Sequence, residues 1–495
     1  MDKRCGAMWA AWLVVLMSAR ICGAAEVPKS PYLPVIYRYA DAMIERGRDV
    51  HGPTKTGLFL SALDRSALAP LTTRPSAPAG IREGDRDGPA SGPLVGANPQ
   101  HDENLLRVLY TLSELSGKPV YREAADAELR WFLASAASPA TGLFPWGEHM
   151  SWNVISDEPI PDKRTGKGAH EFARPWVLWD RCFELDPAAS KRFALALWEH
   201  QIADHSTGAF DRHAGYWEHS VTDGTDFARH AGFYIRTWAV AYAHTTDPTL
   251  LRAIETLLER YERKRHPKTG LIELCSGRAD ASPLLSLSLA IDCDGASRRV
   301  PEPLASRLRV FATKEDQVFC LLPHDLKTRR GFVAALDKET GKPANVVTPL
   351  WEARYGDLTT AQAAMMCVAR YENTGKAGYR DLIVAAAEAY LDGLPPDDVD
   401  LWPMTFGHAI SLQLAAWRST ARSVHLDHAR KLADLAQQVF WQGSALPRAS
   451  SRPKTAAGHC ESITGADTLA LALVELHLSI LHIAAVRCPA NTIDR

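Results

Sequence analysis

Four stretches place polar side chains beside turn residues: Trp146-Gly147-Glu148-His149, Gly168-Ala169-His170-Glu171-Phe172-Ala173-Arg174-Pro175-Trp176, Asp226-Phe227-Ala228-Arg229-His230 and Trp351-Glu352-Ala353-Arg354. His149, Glu171 and His230 together form two imidazoles and a carboxylate. That donor set suits Mn, Fe, Co, Ni or Zn better than Ca, which prefers oxygen alone. His170-Glu171 runs on to Arg174 where a zincin would carry a second histidine, so the HExxH pattern is absent. Arg174, Arg229, Arg236 and Arg354 suit a polyanionic substrate, because a guanidinium pairs bidentately with a carboxylate. Each of them also has a plainer reading, an internal ion pair with Asp180, Asp223, Asp226 or Glu352. The chain holds 14 tryptophans, of which Trp146, Trp176 and Trp351 stand in these stretches as candidate sugar platforms, while most of the others are expected in the core.

The third stretch continues as an apolar helical segment to His244. Arg229, Gly232 and Arg236 fall on one helical row, and His230 and Tyr234 on a neighbouring one. This puts Arg229 and His230 at the helix's first turn, with Tyr234 one turn on as an alternative proton donor or acceptor. A buried helix has no need of such charge unless something anionic faces it.

The elements that must position these groups are helical hairpins. A Thr-Gly-apolar turn recurs at Thr56-Gly57, Thr141-Gly142, Thr207-Gly208 and Thr269-Gly270, with a weaker copy at Thr340-Gly341, and successive glycines lie 85, 66, 62 and 71 residues apart. A period near 65 fits two helices and their loops, with glycine at φ > 0 turning the chain. Helical periodicity covers residues 31–46, 102–116, 119–135, 190–200, 248–265, 361–371, 379–394, 407–417, 425–441 and 463–482. The expected fold is therefore all-α, an (α/α) toroid of six or seven hairpins whose inner helices line a cleft; an open solenoid would leave two apolar ends exposed. A small β accessory patch is allowed around residues 307–319 and 331–335. Residues 66–100, rich in proline, read as a surface segment covering one mouth of the fold.

Composition narrows the class. The 495 residues are 46% hydrophobic and 23% charged, and the net charge of −2 argues against a nucleic-acid binder. Residues 1–25 read as an export signal: Lys3 and Arg4, an apolar run too short to span a bilayer, then Gly23-Ala24-Ala25. Residues 26–490 are expected to form a single catalytic toroid without a membrane span, working in the periplasm or outside the cell. The seven later cysteines are widely spaced without a CxxC, which is not a disulfide framework.

A helical-hairpin toroid carrying Gly147-Glu148-His149, His170-Glu171-Phe172 and Arg229-His230 in that order resembles the polysaccharide lyase family 2 pectate lyases. The resemblance implies a metal held by His149, Glu171 and His230, with Mn²⁺ or a similar ion favoured and Ca²⁺ allowed, and Arg229 at the position of the base. It also implies β-elimination on an acidic polysaccharide or its oligomers. Two other functions fit the same architecture: a glycoside hydrolase or sugar epimerase using paired carboxylates or histidines, for hydrolysis Glu148 or Glu171 with Asp226 or Asp357, and a non-catalytic glycan-binding protein.

Overall fold

A computed structural model describes residues 30–161, 169–172, 174–220, 225–392, 395–455, 458–486, 488 and 490–494. The expected export signal lies outside the described residues. Fourteen α-helices occur among them: α1 (Leu33–Arg46), α2 (Pro99–Ser116), α3 (Pro119–Ser135), α4 (Trp179–Leu185), α5 (Pro187–Ala196), α6 (Ala228–Thr245), α7 (Pro248–Lys264), α8 (Pro283–Ala296), α9 (Leu304–Phe319), α10 (Thr360–Thr374), α11 (Ala377–Leu391), α12 (Pro403–Thr420), α13 (Ser423–Phe440) and α14 (Ala466–Ile480).

Six consecutive pairs, α2/α3 to α12/α13, pack as hairpins, and α14 pairs with α1. The ring closes where α14 packs against both α12 and α2. Helix sequence follows layer. In the inner α14 every residue but Ser479 is buried, whereas the outer α7 buries Leu250, Ala253, Ile254, Leu257, Leu258 and Tyr261 along one stripe with Arg260. One continuous apolar core runs from Tyr32 to Ile480.

The Thr-Gly turns are structural repeats. Gly57, Gly142, Gly208, Gly270 and Gly341 all have positive φ. In four of them the glycine N–H donates to the carbonyl four residues back, and in all five the threonine Oγ1 accepts from the N–H two residues on.

One expectation needs correction. Residues 307–319 lie inside α9, not in a β patch: Leu304, Leu308, Phe311, Ala312, Glu315 and Phe319 are buried at helical spacing, which the β-branched Val310 and Val318 obscure. The Leu-Ser alternation of α8 hides a helix because it is buried on nearly all sides. Residues 331–335 do join small β structure through bridges Asp325↔Gly331 and Val333↔Val347, next to a strand pair Asp280–Ala281 with Leu336–Asp337.

The proline-rich segment docks at one end of the ring. Trp402 Nε1 donates to Ala79 O at 2.9 Å, the Tyr355 N–H to Gly80 O at 3.0 Å, and buried Arg86 forks onto Glu461 at 2.7 Å through two nitrogens. Arg82 is thereby carried to Glu148, 3.2 Å away.

Candidate functional site

Glu148 and His149 stand in the loop after α3, Glu171 follows the strand Ala169–His170, and Arg229 and His230 occupy the first turn of α6. Two devices bring these distant segments together. The Glu148 N–H donates to Glu171 O at 2.6 Å, an approach open only because Gly147, at φ +102°, has no side chain: a Cβ there would sit 2.0 Å from that oxygen. Ala169–His170 also pairs antiparallel with Ala214–Gly215, which tethers the loop carrying Arg212 and His213 beside Glu171.

Glu171 is the centre, with no exposed surface. His230 Nε2 lies 3.1 Å from its Oε1, and Arg212 and Arg229 reach the same oxygen, Arg229 at 3.4 Å. His149 Nε2 and His213 Nε2 lie 3.2 and 3.1 Å from Oε2. Burial alone would raise the Glu171 carboxyl, but the three imidazoles outweigh it and hold it well below the usual carboxylate range. Burial pushes His230 down to about 4, so it is neutral at pH 7 and able to offer a lone pair. Contacts to Asp211 and Glu171 raise His213 to about 9. Burial and the charge of Glu171 raise Glu148.

The donor chemistry fits a metal ion. Glu171 Oε2 and both nitrogens of His230 are buried yet make no hydrogen bond among the described residues, so the short contacts are oblique. Ligand atoms of His149, Glu171 and His213 lie within 4.8 Å of one another, as do those of Asp85, Glu148 and His149. The second group already has its cation, because the Arg82 guanidinium sits 2.6 Å from Asp85 and 3.2 Å from Glu148.

A cavity of about 80 Å³ opens beside the centre, lined by His101, Glu148, Arg174, Arg229, Tyr355 and Asp494 among others. Arg354 also lines it and pairs with Glu352 at 3.0 Å. Arg174 is buried there and pairs with Asp494.

Five expected site residues are placed elsewhere. Trp146 and Trp176, each 1% exposed, pack with Trp179 in an aromatic core rather than facing sugar. Trp351 packs against Tyr390 and Phe406. Arg236, two turns from Arg229, lines a separate pocket with Asp180 and Arg299 and lies 3.5 Å from Asp292. Tyr234 is fully buried among Phe172, Phe210, Phe233 and Trp238 and is not among the residues that line the cavity, and burial raises its hydroxyl well above the ordinary range. Asp226, weighed above as a hydrolytic acid, is held by Arg260 at 2.8 Å and by Lys264. Asp357 lines the cavity.

Sequence reasoning missed Arg82, Asp85, Arg212 and His213. The last two had a signal: Arg212-His213 follows the third Thr-Gly turn much as Glu148-His149 follows the second. Arg82 and Asp85 had none, because only docking of the proline-rich segment brings them in.

Residues 93–273 match the family described as periplasmic pectate lyase. That range includes Gly147, His149, Glu171, His213, Arg229 and His230. The pectate disaccharide-lyase of Dickeya dadantii (strain 3937) is 24% identical over 200 residues, which cover 35% of this chain and 36% of the relative. The match therefore spans about a third of that protein's length. Among solved structures, a D-mannose isomerase superposes with a TM-score of 0.50 at 9% identity, covering 91% of this chain and 98% of the other. A cellobiose 2-epimerase from Bacillus thermoamylovorans gives 0.48 at 11% identity, covering 89% and 98%. At such identities the likeness concerns the fold alone.

Proposed function

We propose that the chain is an exported, metal-assisted polysaccharide lyase that cleaves uronate-containing chains such as pectate by β-elimination. The observation that carries this reading is the convergence of His149, His230 and Arg229 on the buried Glu171 at the edge of a cavity that Arg174 also lines. The family match over the same residues supports it.

His149, Glu171 and His230 would hold the ion, which when bound neutralises the uronate carboxylate and so acidifies the C5 proton. Arg229 takes the proton-handling position at the cavity wall. Arg174 and Arg354 clamp neighbouring carboxylates, and their fixed charges stabilise the aci-carboxylate as it develops. The helix α6 gives Arg229 a rigid mount.

A second reading rests on Glu148. Its raised carboxyl, beside the cavity with Asp357 on the wall, is the form a glycoside hydrolase uses as general acid. One assay separates the two: the protein is incubated with polygalacturonate, with Mn²⁺ or with chelator. A lyase generates ultraviolet-absorbing unsaturated uronate ends that vanish with chelator. New reducing ends without that absorbance would sink the lyase in favour of hydrolysis.

A further inference from the structure

Three imidazoles, not two, point their Nε2 atoms at Glu171. The third belongs to His213, on the loop between the Thr207-Gly208 turn and the strand Ala214–Gly215. We infer that His213 is a ligand of the same ion, so that the protein offers it three imidazoles and one carboxylate. The inference rests on the metal-assisted reading above and concerns which residues form the site.

Geometry comes first. The neighbours divide the two oxygens of Glu171: Oε1 is engaged by Arg212 and Arg229 and lies 3.1 Å from His230 Nε2, while Oε2, among the described residues, faces His149 and His213 and no guanidinium. A cation is therefore drawn to the Oε2 side, away from both guanidiniums. Ligand atoms of His149, Glu171 and His213 lie within 4.8 Å of one another. Two atoms bound to one ion are at most about 4.4 Å apart, so shifts of a few tenths of an ångström suffice.

Orientation comes second. The other ring nitrogen of His213, Nδ1, faces Asp211 Oδ1 at 3.6 Å, and that carboxylate oxygen also accepts from the His213 N–H at 2.9 Å and from Thr225 Oγ1 at 3.1 Å. A carboxylate behind Nδ1 leaves Nε2 to the ion, the arrangement that orients metal-bound histidines generally. Third, the antiparallel pairing of Ala169–His170 with Ala214–Gly215 ties His213 to the backbone one residue before Glu171, so the two donors move as one unit. Exposure sets its place in the site: His213 is 28% exposed while His149 and His230 are buried, which makes it the solvent-side ligand.

A set of three imidazoles and one carboxylate prefers a first-row transition ion and disfavours Ca²⁺, which is bound by oxygen. It also leaves fewer positions for substrate than a three-ligand site.

The test uses the full chain stripped with chelator and reloaded with Mn²⁺ alone. Bound metal is measured by elemental analysis, and coordinated imidazole nitrogens are counted by electron spin-echo modulation, in the wild type and in His213→Ala, His213→Gln and the exposed control His219→Ala. Thermal melting of the metal-free proteins shows that each is folded. The expected result is one Mn²⁺ in the wild type with three imidazoles. Both His213 variants should lose one imidazole and at least about tenfold in Mn²⁺ affinity, the control should lose neither, and a large excess of Ca²⁺ should fail to displace Mn²⁺. If both His213 variants keep wild-type affinity and nitrogen count, His213 is only an ion-pair partner of Glu171 and the inference is overturned. If the folded wild type takes up no Mn²⁺, the metal reading itself fails in the first arm, and this inference falls with it.

Discussion

His230 Nε2 lies 3.1 Å from Glu171 Oε1, and neither ring nitrogen of this fully buried histidine makes a hydrogen bond among the described residues. A buried imidazole with nothing to satisfy it costs free energy, on the order of 1 to 3 kcal/mol for each unmet polar group. A bound ion, as proposed above, would satisfy it in the first turn of α6. His230→Ala should therefore lower Mn²⁺ affinity by at least about tenfold while leaving the metal-free melting temperature unchanged or higher. Elemental analysis and calorimetry check both parts.

Arg229 sits on the same turn but contacts carboxylates rather than imidazoles, at 3.4 Å from Glu171 and 3.8 Å from Glu148. Arg229→Ala should lose a factor of about 10² to 10³ in kcat with Mn²⁺ content intact. Loss of metal along with activity would show that Arg229 organises the ligands instead.

Tyr234 gives the opposite expectation. Its hydroxyl is sealed among aromatic rings with no hydrogen-bond partner among the described residues. Tyr234→Phe should leave kcat/KM within about threefold of wild type and stability unchanged or slightly improved, since removing an unpaired buried hydroxyl relieves a desolvation cost. A large fall in kcat would return Tyr234 to the proton-transfer step.

Gly147→Ala tests the backbone approach that brings Glu148 to Glu171. The added Cβ would collide with the Glu171 carbonyl at 2.0 Å, and φ of +102° disfavours any side chain. A loss of stability on the order of 1 to 3 kcal/mol and loss of the metal site should appear together in denaturant unfolding and metal analysis.

Glu128 gives a pH signature away from the site. Burial pushes its carboxyl up to about 8, so in the folded protein it holds a proton that the unfolded chain releases near pH 4.3. Folded protein then binds more protons than unfolded between these values, and stability falls as pH rises through that window. Glu128→Gln removes the effect, and the pH 5 to 8 slope of its unfolding free energy should flatten by about 1 kcal/mol or more, measured by urea titration at both pH values.

The toroid was legible because its signals are local. Helical periodicity and the five Thr-Gly turns are short-range patterns, and the structure uses those turns as the sequence suggested. The helix α8 escaped because its burial on nearly all sides leaves its Leu-Ser alternation with little amphipathic period to read. At the site, the residue types of His149, Glu171, Arg229 and His230 were legible, since an imidazole or guanidinium beside a turn stands out chemically. Which of the large side chains face the cleft was not: Trp146 and Trp176 turned out to be core, and Arg236 points into another pocket, because orientation depends on which neighbour each helix face meets.

The order of chemistry-bearing residues along the chain, the hairpin period and the charge balance were determined by sequence alone, for they depend only on what each residue is and how far apart neighbours stand. Tertiary structure alone decided that a strand pair brings His213 to Glu171, that the proline-rich segment delivers Arg82 to Glu148, and that Tyr234 is sealed away. The physical reason is the same in each case. These contacts join segments far apart in the chain, and what holds them is the closure of the ring and the docking of loops upon it, which no local pattern encodes.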